Sequence, residues 1–182
     1  GNRHGEGKLT LPNGDVYEGG FDKNKYHGVG KMASADGRIY DGEWRQHVKH
    51  GRAKATQVNG DIYDGDFCEN KMTGQATITY AASKRSFTGS VLEGRKIDGE
   101  MTFADGKKYA GQWQQDKPHG AGVCHYKNGD VYEGEWAAGR LSGQGKMIYA
   151  ADGRTYDGNW KEDKYEGYGV LSKDGARSEA MW

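Results

Sequence analysis

The side chains best suited to hold a metal ion or act as a nucleophile are His4, His27, His47, His50, Cys68, His119, Cys124 and His125. Zinc needs imidazoles or thiolates that converge from short fixed spacings, and the two cysteines have no such spacing. Cys124 and His125 are neighbours on a predicted strand, so they point to opposite faces and cannot chelate locally. No resident metal or cofactor is expected; a zinc held between two subunits is the alternative that stays open. No serine or cysteine is placed with a base and an orienting acid as a catalytic triad requires. Gly28-Val29-Gly30 and Gly143-Gln144-Gly145-Lys146 invite a phosphate-loop reading. The third glycine or the Lys-Ser/Thr ending is missing, and recurrence along the chain makes packing the better explanation. Carboxylates such as Glu133 and Glu135 also recur, which gives each acid similar surroundings, whereas acid–base catalysis needs two held in different ones. No catalytic residue is predicted.

Two further sets could bind without reacting. Lys25, Lys71, Arg95, Lys117, Arg140 and Lys164 stand at one fixed place after a predicted strand. Hairpins advance a sheet by about 10 Å, so these cations form a row along one edge. Such a row could engage anionic phospholipid head groups, each cation contributing about 1 kcal/mol near an anionic surface. Asp22, Glu69, Glu93, Asp116 and Asp163 lie in the same loops and offset much of that attraction. The second set is aromatic: Tyr40, Trp44, Tyr109, Trp113, Tyr132, Trp136, Tyr156 and Trp160 are read as structural, with a ligand-stacking platform as the alternative.

The elements that must position these groups are repeats. Tyr-acid-Gly-acid-aromatic, more or less complete, starts at Tyr17, Tyr40, Tyr63, Phe87, Tyr109, Tyr132 and Tyr156, at intervals of 22 to 24 residues. Most units continue with Gly-x-Gly and alternating apolar residues, then close on Asn-Gly or Asp-Gly, from Asn13-Gly14 to Asp174-Gly175. These dipeptides supply the positive φ of two-residue hairpin turns, so each unit is predicted to be a β-hairpin. The expected division is a half repeat at 1–16, repeats at 17–39, 40–62, 63–86, 87–108, 109–131, 132–155 and 156–177, and a worn copy at 178–182. Alternation places Tyr17, Gly19 and Phe21 on one face, with Gly28, Gly30 and Met32 beside them. Rings can then lie across bare backbone, and a single sheet can bury a core. On the other face Glu18 can meet Lys31, Glu133 and Glu135 can meet Lys146, and Asp41 and Glu43 can meet Arg52 and Lys54.

This pattern resembles the MORN (membrane occupation and recognition nexus) family, whose unit is close to Tyr-Glu-Gly-Glu-Trp-x-x-Gly-Lys-x-His-Gly-x-Gly. Tyr132-Glu133-Gly134-Glu135-Trp136-Ala137-Ala138-Gly139-Arg140-Leu141-Ser142-Gly143-Gln144-Gly145 matches it almost throughout. Residues 87–108 depart from it: Val91 replaces the aromatic, the first paired glycine is missing and one residue is lost. The resemblance extends to the C-terminal arrays of protozoan cytoskeletal MORN scaffold proteins. It implies an all-β fold, a single elongated twisted antiparallel sheet of about 15 strands. It also implies a cytoplasmic, cytoskeleton-associated place at or near the inner face of a membrane. MORN repeats accompany lipid-kinase and methyltransferase domains as well, so a non-catalytic region of a larger enzyme is an alternative.

Composition agrees with such a chain. The 182 residues hold 26 Lys plus Arg against 26 Asp plus Glu, which disfavours nucleic-acid binding through bulk positive charge. Leu, Ile and Val are scarce, and 12 Tyr, 5 Trp and 4 Phe supply apolar area in their place. Two cysteines are too few for a secreted disulfide scaffold, which points to a reducing compartment, and no apolar run is long enough to span a bilayer. Outward charges thin out between Thr88 and His125, and Tyr168 and Val170 face outward where other units carry charge. The function expected is that of a non-enzymatic scaffold binding cytoskeletal proteins and pairing with itself through Tyr165, Tyr168, Val170 and Trp182. The competing reading is a phosphoinositide-binding module acting through the six loop cations.

Overall fold

The computed structural model describes residues 1–182 and contains strands and turns without helix. The strands follow one another in chain order in a 16-stranded antiparallel sheet. The contacts divide it into two units, residues 1–94 and 95–182. The first holds β1 (Gly5–Thr10), β2 (Val16–Asp22), β3 (Lys25–Ala33), β4 (Ile39–Arg45), β5 (Val48–Thr56), β6 (Ile62–Cys68), β7 (Lys71–Tyr80) and β8 (Arg85–Leu92). The second holds β9 (Arg95–Thr102), β10 (Lys108–Gln114), β11 (Lys117–His125), β12 (Val131–Ala137), β13 (Arg140–Ile148), β14 (Thr155–Lys161), β15 (Lys164–Lys173) and β16 (Ala176–Met181). The worn copy of the motif, Ser178 to Trp182, thus still supplies most of a strand.

The turns differ from expectation in kind. Two-residue turns with both residues at positive φ sit between the strands of each repeat, as at Lys23-Asn24 (48° and 70°) and Gln46-His47 (55° and 72°). Most contain no glycine, and the strand pairing on both sides holds them in the left-handed region. Most Asn-Gly and Asp-Gly sites reverse the chain over a longer loop instead. Leu11 N–H donates to Asp15 O at 2.8 Å, Gly14 N–H donates to Leu11 O, and only Gly14 is left-handed, at +88°. That is a type I turn closed by a glycine bulge. Asp174-Gly175 alone among these dipeptides makes the expected two-residue turn between register partners Lys173 and Ala176.

Each repeat also contains a bulge that its glycines make possible. Gly19 pairs with Gly30 but Phe21 pairs with Tyr26, so β3 carries extra chain opposite Gly20. Gly28 takes up the bend at φ +74°. The Tyr17 hydroxyl donates at 2.9 Å to the carbonyl of Gly20, which has no register partner on β3. Tyr40, Tyr63, Tyr109, Tyr132 and Tyr156 make the same bond to the residue three further on. That recurring bond gives the first motif position its preference for Tyr over Phe. Phe87, without a hydroxyl, opens the repeat that has lost a residue.

The core is one face of the sheet. Tyr17, Tyr40, Tyr63, Tyr109, Tyr132 and Tyr156 are at most 3% exposed, and the Trp and Phe partners of the motif are nearly as enclosed. Each Tyr meets its own aromatic edge-on and, except Tyr63, whose next repeat carries Val91, that of the next repeat too, as Tyr132 meets Trp136 at 5.3 Å and Trp160 at 5.4 Å. A Cβ on Gly145 would lie 2.4 Å from the Tyr132 ring, so the glycines are the floor on which the rings rest. Indole N–H groups donate to glycine carbonyls one repeat back, Trp44 to Gly30 at 2.8 Å and Trp160 to Gly145 at 2.9 Å. Such rings bury about 150 to 250 Å² each, which makes them the main source of stability.

Candidate binding surfaces

Many of the groups singled out in the sequence are engaged within or between repeats. Glu43, Asp66 and Glu135 turn back on the bulge and accept from the backbone N–H of Arg52, Gln75 and Gln144 at 3.0 to 3.2 Å. The Arg52 side chain pairs with Asp64 and Asp66 of the next repeat, not with Glu43 as expected, whose carboxylate accepts from the Arg52 backbone N–H. Asp41 does lie opposite Lys54, Glu18 opposite Lys31 and Glu133 opposite Lys146. Between Thr88 and His125 hydroxyls and amides take over, with Thr77 bonded to Thr88 and Gln75 to Ser90.

Lys25, Lys71, Arg95, Lys117, Arg140 and Lys164 are all exposed, each the first residue of its strand, since the turns before them hold only two residues. Three of the six are occupied by the following repeat. Lys71 meets Glu93 at 2.5 Å, Arg140 meets Glu162 at 3.3 Å and Lys25 donates to Gln46 at 2.7 Å. Lys117 and Lys164 form no ion pair and have open ammonium groups.

The four residues read as a self-association surface do not share a face. Tyr165 stacks on Tyr156 at 3.7 Å, meets Trp160 and Trp182 edge-on and hydrogen-bonds the Tyr149 hydroxyl, so it belongs to the aromatic core face. Trp182 covers it there and remains 51% exposed. Tyr168 and Val170 lie on the opposite face, where Tyr168 donates to Glu179 at 2.5 Å and stands opposite Met181. That carboxylate raises the Tyr168 hydroxyl above its ordinary range. Residues 165 and 168 are three apart on one strand, so alternation alone puts them on different sides, and the bulge at Gly167 keeps that parity, with Tyr165 opposite Trp160 and Gly169 opposite Gly158. Tyr168 at 50% and Met181 at 77% are the large apolar groups that β15 and β16 leave most open on that side. Met181 had no place in the sequence reading, because a lone terminal methionine gives no periodic signal.

Several recesses open on the molecule, and one in each unit reaches the rings of the motif. In the second unit a space of about 790 Å³ is lined by Arg95, Lys96, Asp98, Trp113, Asp116 and His119. Lys96 is only 8% exposed and its ammonium meets Asp116 at 2.5 Å. In the first unit a space of about 310 Å³ is lined by Met32, Ile39, Tyr40, Lys49, Ala55, Phe67 and Met72, with Arg38 at its rim. The histidines stay scattered; Cys124 is buried and its thiol raised by burial, while His125 faces solvent from the other side of the strand.

A hairpin sheet whose rings rest on glycine floors is what the family pattern requires, and the family model for the MORN repeat matches residues 1–16, 17–37, 40–62, 63–84, 109–131, 132–154 and 156–177. The chain belongs to the MORN-repeat family. The stretch between 84 and 109, which contains Phe87, the missing glycine and Lys96, lies outside the matched repeats. Among solved structures, this MORN-repeat chain is similar to the TCP domain of Drosophila melanogaster SAS-4 (dCPAP) in complex with a proline-rich motif of Ana2 (dSTIL). The TM-score is 0.55 at 13% identity, over 97% of this chain and 90% of that one. The TCP10c domain of Drosophila melanogaster Sas-4 gives 0.50 at 13% identity, over 97% and 99%. At that identity the likeness is one of fold.

Proposed function

We propose that this MORN-repeat chain is a non-enzymatic scaffold that binds cytoskeletal proteins near the inner face of a membrane and pairs with itself through its last hairpin. One observation carries the reading. Acids, amides and cations satisfy one another within and between repeats, while Tyr168, Met181 and Trp182 leave apolar surface open around β15 and β16. Large exposed apolar groups of this kind mark contact surfaces. The fold's likeness to a domain solved with a motif of another protein bound to it supports protein partners. Sedimentation across a concentration series is the test. Twice the 20.1 kDa chain mass, reverting to chain mass in Tyr168→Glu with Met181→Glu, is expected. Chain mass at every concentration would remove self-association.

A second reading, a phospholipid-binding module, rests on Lys117 and Lys164, whose charges no carboxylate takes up. Sedimentation with phosphoinositide-containing liposomes separates the two. Retention that rises with phosphoinositide content and collapses when Lys25, Lys71, Lys117 and Lys164 become Glu favours the lipid; indifference to lipid favours the scaffold.

A further inference from the structure

The repeats place a cap residue over each core Tyr. Tyr26 stacks on Tyr17 and Tyr165 stacks on Tyr156, and Lys49 and Lys96 stand at the equivalent position of their own repeats. The two lysines have different surroundings. Lys96 meets a carboxylate, Asp116, in the second position of the next two-residue turn. The residue in that position after Lys49 is Asn70, a neutral amide, and its oxygen is already taken by the Lys49 backbone N–H at 2.9 Å. The Lys49 ammonium lies 4.9 Å from the Tyr40 ring centroid and forms no ion pair. Its pKa is lowered, first by burial and then by the Arg38 charge.

Beside it the sheet is underfilled. Residues in register with the core Tyr column are large in most other repeats, Met32 opposite Tyr17, Ile78 opposite Tyr63, Met101 opposite Tyr109 and Met147 opposite Tyr132, with Cys124 the smaller one between Tyr109 and Tyr132. Between Tyr40 and Tyr63 that residue is Ala55. The missing side chain is the floor of the 310 Å³ recess, walled by Met32, Phe67 and Met72. Arg38 on the rim is neutralised by Asp36 at 2.7 Å, which leaves Lys49 as the cation there without a counter-charge.

An apolar hole of side-chain size beside a desolvated, uncompensated ammonium is a two-point site. We propose that Lys49 and the Ala55 recess receive a partner peptide in which an Asp or Glu carboxylate adjoins a Leu, Ile or Phe side chain. The carboxylate supplies the counter-charge that Asp116 supplies for Lys96, and the apolar group fills the space that Met32, Ile78 or Met147 fills in other repeats. Charge complementarity selects an acidic segment, and the volume suits one or two side chains, at the lower end of ligand pockets. The inference rests on the protein-binding reading above and gives it an address.

The test pans a phage-displayed random dodecapeptide library against the full chain. A recovered peptide is then titrated by fluorescence anisotropy against the parent, Lys49→Met and Ala55→Met. Both substitutions install residues that neighbouring repeats carry at those places, so the thermal midpoint should hold, or rise for Ala55→Met. Recovered peptides should place Asp or Glu next to Leu, Ile or Phe. Each substitution should weaken binding roughly tenfold or more, and changing the peptide's acid to its amide should weaken binding to the parent but not to Lys49→Met. Peptides that bind both variants as tightly as the parent would overturn this site and leave the protein-binding reading standing. A library that yields no binder would remove both.

Discussion

Two aromatic stacks, one in each unit, share their chemistry and differ in their cover. Tyr26 lies on Tyr17 at 3.9 Å and 17°, and Tyr165 lies on Tyr156 at 3.7 Å and 11°. In the first unit the following repeat closes the stack with Trp44 at 5.5 Å and His47 at 4.5 Å, and Tyr26 is 8% exposed. In the second unit Trp182 alone covers Tyr165, at 5.2 Å, and itself stays half in solvent. A repeat is therefore completed by its successor: the first strand of the next hairpin supplies the side chain, most often an indole, that closes the one before. Stability should be distributed accordingly, with nearest-neighbour contacts carrying most of it.

The largest effect expected from this comparison separates the two tryptophans. Trp44→Ala removes edge contacts to Tyr17, Tyr26 and Tyr40 together with the indole bond to Gly30. It should cost about 3–5 kcal/mol in urea unfolding of the first unit. Trp182→Ala touches only Tyr156 and Tyr165 and starts from a half-exposed ring. Its cost should stay near 1 kcal/mol, within the range of ordinary substitutions. Equal losses would mean that the cover does not set the stability of the stack.

The glycine floors give a smaller and sharper contrast. A Cβ at Gly30 would fall 2.5 Å from the Tyr17 ring carbon Cζ, and at Gly169 it would fall 2.6 Å from that of Tyr156. The steric demand is the same. Overpacking of this kind costs about 1–3 kcal/mol, and the ring's freedom to move decides where in that range it falls. Tyr17, held by Tyr26 and Trp44, should put Gly30→Ala at the upper end; Tyr156, under the looser cover, should put Gly169→Ala at the lower end. Thermal midpoints of the two variants, compared with the parent, check the order.

How much of this was legible beforehand follows from what repeats in the chain and what does not. Periodic features could be read: the Tyr and Trp columns, the glycine floors and the hairpin unit all follow from strand alternation and a fixed interval. The bulge was not legible, because Gly28 and Gly30 look alike in sequence although one bends the chain and the other only makes room. From that one omission came the misreading of Glu43, whose carboxylate turns back to the Arg52 backbone N–H. The Lys49 recess was missed for another reason. Its signal is a pair of substitutions within columns, Ala55 among mostly larger residues and Asn70 where Asp116 stands. Such a deviation becomes visible only once the register says which residues share a column.

The smallest effect expected concerns how Tyr26 is tied to the turn above it. The backbone N–H of Tyr26 donates to His47 Nδ1 at 3.3 Å, and His47 N–H donates to Tyr26 O at 3.0 Å. Elsewhere the same rung uses a side-chain oxygen, Asn70 for Lys49 and Asp163 for Leu141. Only the imidazole can lose its acceptor by binding a proton near neutral pH. Burial against Tyr26, and then the Lys25 charge, lower the His47 pKa in the folded chain. The rung's contribution is therefore complete above the unfolded imidazole value, about 6.5, and declines as pH falls from there toward the lower folded value. Carboxylates elsewhere also respond to acid, so the informative quantity is a difference. His47→Asn keeps a neutral acceptor at the turn, and its urea midpoint should match that of the parent at pH 7.5 and exceed it modestly at pH 5.5. Parallel midpoints across that range would show that His47 rides on the Tyr26 stack without holding it.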